Sequence, residues 1–136
     1  MLLLPKIKQD NTVIVSTYAA LLAFYYIYLS FNVIKVRRSE QVSLGDNGSP
    51  KLQRAVRAHA NFMEYVPFAI ILLFLAEYQG LASHYCNILG GALLIGRVFH
   101  NLGIVENNLK YRQIGTIATF LVMAISAFLL LVTRNS

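Results

Sequence analysis

The chain has no tryptophan, one cysteine and three prolines in 136 residues, and only six of its residues are acidic. A single cysteine, Cys86, excludes an internal disulfide, and in its apolar run it reads as a small core residue. Three prolines and eight glycines are too few for a fibrous or disordered chain. Charge is scarce too: 13% of residues are charged, against roughly 25% in a typical soluble domain. The three histidines have no metal-ligand spacing, no phosphate-binding loop occurs, and no Ser-His-Asp order lies within reach. There is no internal repeat.

Hydrocarbon fills the space left. The composition is 57% hydrophobic with a mean hydropathy of +0.55, which defines an integral membrane protein. The length accommodates four spans of about 20 residues and little else, so any site must be built from the helices and their short connections. The apolar runs place spans at approximately 12–36, 51–77, 84–103 and 112–132. The expected fold is therefore all-α, one four-helix transmembrane domain over 1–136. Residues 1–11 do not read as a signal peptide, because their charges follow the apolar residues and no small-residue cleavage site comes after. Tyr18, Tyr25, Tyr26 and Tyr28 of the first span read as interface anchors or as packing inside the bundle. Between the first two spans, Gly45-Asp46-Asn47-Gly48 reads as a turn; Asp46 lacks the further acidic ligands of a calcium loop.

The net charge is +6, but the basic residues flank apolar segments, where lipid head groups and topology account for them; nucleic acid is not an expected partner. Nine of the twelve, Lys35, Arg37, Arg38, Lys51, Arg54, Arg57, Arg97, Lys110 and Arg112, lie in or beside the first and third connections. Lys6, Lys8 and Arg134 lie on the other side. The positive-inside rule then makes the first and third connections cytosolic and both termini non-cytosolic.

The second span opens with the most informative residues. At 100° per residue, Arg54, Arg57, Asn61 and Glu64 fall within an arc of about 80° on one helix face, with Tyr65 beside it. Charged and amide groups on an otherwise apolar membrane helix are costly and mark function by default. Arg57 and Glu64 are seven residues apart, about 10 Å of rise, which is long for a direct pair on one helix. His59 faces a different neighbour. Pro67 removes a helix donor, which membrane helices tolerate when neighbours re-satisfy the freed carbonyl. In the third span Gly90, Gly91 and Gly96 offer small surfaces for close approach, and Arg97, His100 and Asn101 share a face. The antiparallel order brings Arg37, Arg57, Asn61, Glu64, Arg97, His100 and Arg112 to one end of the bundle. That is a cationic pocket with one carboxylate, suited to a small ligand carrying several carboxylates and one ammonium group.

The run Arg57-Ala-His59-Ala-Asn61-Phe-Met-Glu64-Tyr65-Val-Pro67 resembles the second-helix signature Arg-x-x-x-Asn-x-x-Glu-Tyr-x-Pro of the MAPEG proteins (membrane-associated proteins in eicosanoid and glutathione metabolism). The likeness covers essentially the whole chain, with Val33–Ser43 similar to the end of that family's first helix and Gly96–Gly103 to the end of its third. The Gly-Asp-Asn-Gly turn and Gly96-Arg97-x-x-His100 resemble its small bacterial branch. The resemblance implies a homotrimer in a bacterial inner membrane, with glutathione as co-substrate held between adjacent subunits near the cytosolic face and no metal. On that pattern Arg37, Arg57, Asn61, Glu64 and Tyr65 would contact glutathione, and His59 occupies a position that can also contribute; Arg97 and His100 are added as binding candidates from the polar face of the third span, not from the family pattern. Arg112, which opens Arg-x-x-Gly, resembles the arginine that activates the thiol, although the match needs one extra residue in the preceding connection. His100 and Ile104 stand where the leukotriene synthase branch has tyrosines. That departure directs the expected activity toward conjugation of glutathione to apolar electrophiles, or peroxide reduction. A non-catalytic lipid-binding member of the same fold is the alternative. A small multidrug transporter using Glu64 ranks third, because the neighbouring arginines would repel a cationic drug.

Overall fold

A computed structural model of the chain describes residues 13–133. Four helices follow one another: α1 (Ile14–Glu40), α2 (Pro50–Tyr78), α3 (Ser83–Val105) and α4 (Leu109–Val132). All four are long and apolar enough to cross a membrane. The signal-peptide reading of residues 1–11, the first residue of the expected 12–36 span, and Lys6, Lys8 and Arg134 of the charge asymmetry lie outside the described residues.

The helix ends are encoded locally. Ser49 caps α2 by accepting a hydrogen bond from the Leu52 amide at 3.2 Å, with Pro50 in the first turn. Asn108 caps α4 through the Tyr111 amide at 3.2 Å. The Gly45–Gly48 turn is present: Gly45, Asn47 and Gly48 have positive φ, and the Asp46 carboxylate accepts from the Gly48 amide at 2.8 Å. Asp46 therefore serves its own turn. The first helix runs four residues past its expected end at 36, since Arg37 and Arg38 occupy its last turn, where cations offset the carbonyl end of the dipole. The fourth begins three residues earlier than expected because the Asn108 cap shortens the connection. Helix α2 continues through Pro67 without interruption.

Short connections force antiparallel neighbours. Helix α2 touches the other three; α3 pairs most extensively with α4 and also meets α1. Helix α1 buries a single seven-residue stripe, Val15, Leu22, Leu29 and Val36, and α4 buries Gly115, Thr119, Val122 and Ser126. These narrow seams leave large apolar side chains outside, among them Phe24 at 70% exposure and Leu131 at 71%. Such a surface is unstable in water and ordinary against lipid or a second subunit. Tyr25 and Tyr26 turn inward against Phe62, so these two are bundle packing, whereas Tyr28 is exposed. Cys86 is fully buried.

Glycine sets the closest approach. A Cβ on Gly96 would stand 2.8 Å from that of Ala118, one on Gly103 would meet the backbone of Arg112, and one on Gly115 would meet His100. Gly90 faces the Tyr18 ring of α1, while Gly91 has room. The α3–α4 seam is thus a backbone-to-backbone contact, permitted by the small residues of both helices.

At the opposite end, the start of α1 is capped by another helix. Val13 offers no side-chain cap. The Glu77 carboxylate accepts instead from the Ile14 amide at 2.5 Å and the Val15 amide at 3.1 Å. A carboxylate there satisfies two free donors and the positive helix end together. Glu77→Ala should destabilise the protein by about 1–3 kcal/mol, the scale of charge-assisted hydrogen bonds, and Glu77→Gln by less. Thermal unfolding in detergent checks this; an unchanged midpoint for the alanine variant would remove the cap from the fold's support.

Candidate functional site

The sequence-predicted residues gather at the end of the bundle where α2 begins, but in two tiers rather than one pocket. The deep tier is centred on Arg97, whose side chain is only 2% exposed. Its Nη2 donates to Asn61 Oδ1 of α2 at 2.5 Å, and its Nη1 to Thr119 Oγ1 of α4 at 3.4 Å. Nη2 also lies 3.3 Å from His100 Nδ1. With Arg97 as donor, that nitrogen is the acceptor and the ring proton sits on Nε2. The guanidinium lies over the Phe62 ring, 5.9 Å from its centroid. Among the described residues the one ion pair is Arg57–Glu64, so Arg97 has no carboxylate partner. Its Nε and the neighbouring Asn101 Oδ1 are buried without a hydrogen bond.

The outer tier is a cleft of about 240 Å³ between the start of α2, the end of α3 and the start of α4. Arg54, Arg57, Gln53, Asn107 and Arg112 line it, with no carboxylate. Arg54 precedes Asn61 by seven residues and Arg112 precedes Thr119 by seven. The cleft therefore sits about 10 Å, two helical turns, outside the Arg97 tier.

The Arg57–Glu64 spacing proves compatible with a direct pair, correcting the expectation from helix rise. Arg57 Nη1 lies 3.4 Å from Glu64 Oε1. Both residues lie on one stripe, and the long guanidinium stem runs along the helix to close the gap. Both side chains are about half exposed, so the pair contributes at most about 1 kcal/mol and leaves Glu64 open to a ligand. Tyr65 packs edge-on against Phe120 of α4, ring centroids 5.4 Å apart.

Tyr65 joins neither tier, Glu64 reaches the cleft only through Arg57, and two further candidates are turned elsewhere within one chain. Arg37 Nη1 donates to the carbonyls of Gly45 at 2.7 Å and Val42 at 3.4 Å, holding the first connection against α1. His59 stacks on Tyr26 at 4.7 Å, with Nε2 3.0 Å from Ser30 Oγ. It meets α1 rather than the Arg57 face, as its position round the helix requires. Thr119 and the cleft residues Gln53 and Asn107 were not picked out from sequence. Thr119 is one of three aliphatic hydroxyls in the most apolar helix, with Thr116 and Ser126, so nothing in the sequence singled it out; the two amides had no signal either.

The fold and the site define a class: a multi-pass membrane bundle of four helices with a cationic, carboxylate-poor cleft at one end. The MAPEG family model matches residues 15–132, and the chain belongs to that family. It is 36% identical over 118 residues to Inner membrane protein YecN of Escherichia coli strain K12, covering 87% of this chain and 86% of that protein. The same protein of Escherichia coli O6:H1 matches to the same extent.

Arg97 makes a specific stability prediction. An unpaired buried charge costs several kcal/mol of desolvation. Its loss would strand one weakly bound buried acceptor, His100 Nδ1, while Asn61 is only half-buried and Thr119 keeps a 2.8 Å hydrogen bond to the Gly115 carbonyl. Arg97→Met should leave the unfolding midpoint in detergent unchanged or raise it, while removing polar-ligand binding. A midpoint lowered by several degrees would show that the hydrogen bonds outweigh desolvation.

Proposed function

We propose that this protein is a membrane-bound glutathione transferase. The observation that carries the reading is the neighbourhood of Arg57. Arg57 lines a cleft together with Arg54 and Arg112 on one side, and Glu64, the one carboxylate of the polar stripe, lies on the other. Glutathione carries two carboxylates, one ammonium group and peptide amides. Glu64 takes the ammonium, the arginines take the carboxylates, and Asn61 and Tyr65 address the peptide. Family membership supports the same ligand class.

The chemistry follows from charge placement. A cysteine thiol has a pKa near 8.5, so a small fraction is thiolate at neutral pH. A guanidinium against the sulfur favours the anion; lowering the pKa by about two units corresponds to about 2.7 kcal/mol. Arg112 takes this role. The proton leaves to water, and the thiolate donates its electron pair to an electrophilic carbon of an apolar substrate arriving from the bilayer. The carbon–sulfur bond forms as the leaving group departs with its own pair, or as a conjugated double bond shifts. The assembly is a homotrimer with the peptide between neighbouring subunits, which gives Arg37 and His59 a role their own chain's cleft leaves out. The host membrane is the bacterial inner membrane, with the first and third connections cytosolic; the relative's name supports the membrane and the lysine and arginine asymmetry supports the orientation.

Calorimetric titration of the detergent-purified protein with glutathione should give binding for wild type and at least a tenfold loss for Arg57→Ala. Absence of binding by folded wild type overturns the transferase reading; binding without turnover on any apolar electrophile leaves the non-catalytic, lipid-binding alternative.

For Arg112, single-turnover kinetics decide. Arg112→Ala should lower the conjugation rate on the order of 10²-fold with a much smaller change in glutathione affinity, the pattern of an interaction made mainly in the transition state. Equal turnover would take Arg112 out of the mechanism.

A further inference from the structure

Helix α1 carries a stripe that the rest of the bundle leaves open. At 100° per residue, Phe24, Tyr28, Phe31, Lys35 and Arg38 fall within an arc of about 80°. All five side chains are exposed, the three rings at 70%, 57% and 65%. The buried seam of this helix, Val15 to Val36, lies on its far side. From within, Tyr28 is braced by stacking on Tyr25 with ring centroids 5.8 Å apart, and Tyr25 packs on Phe62 of α2.

The stripe changes character along its length, from three aromatic rings to two cations at the end of the helix. Neither cation belongs to the one ion pair among the described residues, Arg57–Glu64. Arg37 turns away from Arg38 to the carbonyls of Val42 and Gly45. The nearby acids are off the stripe: Glu40 stands about 160° round the helix from Phe24, and Asp46 serves its own turn. Arg38 also lines, with Gln41 and Ser43, an open groove of about 310 Å³ beside the first connection.

Length and charge identify the occupant. Phe24 and Lys35 are separated by about 16 Å of helix rise. The hydrocarbon of one leaflet is about 15 Å deep, half of a core of roughly 30 Å. A lipid whose head rests on Lys35 and Arg38 therefore lays a chain along all three rings. That head is anionic, because an ammonium and a guanidinium stand together without a carboxylate, and a phosphate offers acceptors to both. A second copy of the stripe is a poor occupant, since it would set these cations against others of the same sign.

We propose that this stripe binds one anionic phospholipid, its phosphate held by Lys35 and Arg38 and one acyl chain laid along Phe31, Tyr28 and Phe24. The site lies outside the cleft and does not rest on the glutathione reading.

The test titrates phosphatidylglycerol and phosphatidylcholine of identical chains into the detergent-purified full chain. Native mass spectrometry reads both the bound lipid and the subunit number. Three variants, each verified as folded by circular dichroism and size exclusion, accompany wild type. One combines Lys35→Gln with Arg38→Gln, and one combines Tyr28→Ala with Phe31→Ala. The third is Lys110→Gln, which removes an exposed cation at the start of α4, at the same end of the bundle but off the stripe. Wild type should prefer phosphatidylglycerol about tenfold or more, the scale of two cations at a membrane surface. The cation variant should bind both lipids equally. The ring variant should weaken both severalfold and keep the ratio, and Lys110→Gln should match wild type. The inference is overturned if wild type shows no preference, or if the ring variant binds as tightly as wild type. It also falls if Lys110→Gln loses as much preference as the cation variant, the mark of a diffuse surface potential. A cation variant that changes subunit number instead of lipid binding would make the stripe an interface between copies and overturn it too.

Discussion

A guanidinium buried in a membrane bundle without a carboxylate beside it is the constraint around which this protein is arranged. Arg97 is held by an amide, a hydroxyl, an imidazole and an aromatic face, none of which neutralises it. Each partner comes from a different place: Asn61 and Phe62 from α2, Thr119 from α4, His100 from the next turn of α3. Satisfying one cation thus fixes the relative height of three helices. It also gives this end of the bundle a positive field that no local anion cancels. The apolar seams hold the helices together; the polar tier sets their register.

Placing the polar tier this way explains why the outer cleft is where it is. With Asn61, Arg97 and Thr119 level, the starts of α2 and α4 end up side by side about three turns further out. Arg54, Arg57 and Arg112 then line the same space. Arg57 stands between the tiers and is partly neutralised by Glu64. The result is a graded arrangement, from an uncompensated cation inside, through a compensated pair, to a cluster of cations open to water.

Much of this was legible because membrane insertion makes sequence blunt. Four apolar runs separated by turn residues can only be spans, and the stripe from Arg54 to Glu64 stands out because nothing in α2 between Glu64 and Glu77 is charged. What was not legible depends on partners. Helix rise alone argued against an Arg57–Glu64 pair, since it ignores how far a guanidinium stem can lie along its own helix. The Gly103–Arg112 and Gly115–His100 contacts could not be read, because a glycine in a sequence does not say what stands opposite it. Glu77 looked like the end of a span, and its role as a cap on α1 requires knowing that residues 14 and 77 meet. Arg37 and His59 carry the right chemistry, yet their own chain turns them elsewhere.

The glycine seam between α3 and α4 has a mechanical consequence. Two helices in backbone contact, joined by three residues, cannot roll on one another without a clash, so they behave as a single stiff hairpin. His100 and Arg112 therefore keep a constant separation whatever the rest of the bundle does. Helix α2 has no such lock and supplies the opposite wall with ordinary side-chain packing. With its height set at the Arg97 tier, any change in the width of the cleft must come from α2 tilting about that tier against a fixed hairpin, which makes one wall of the site a ruler and the other a jaw.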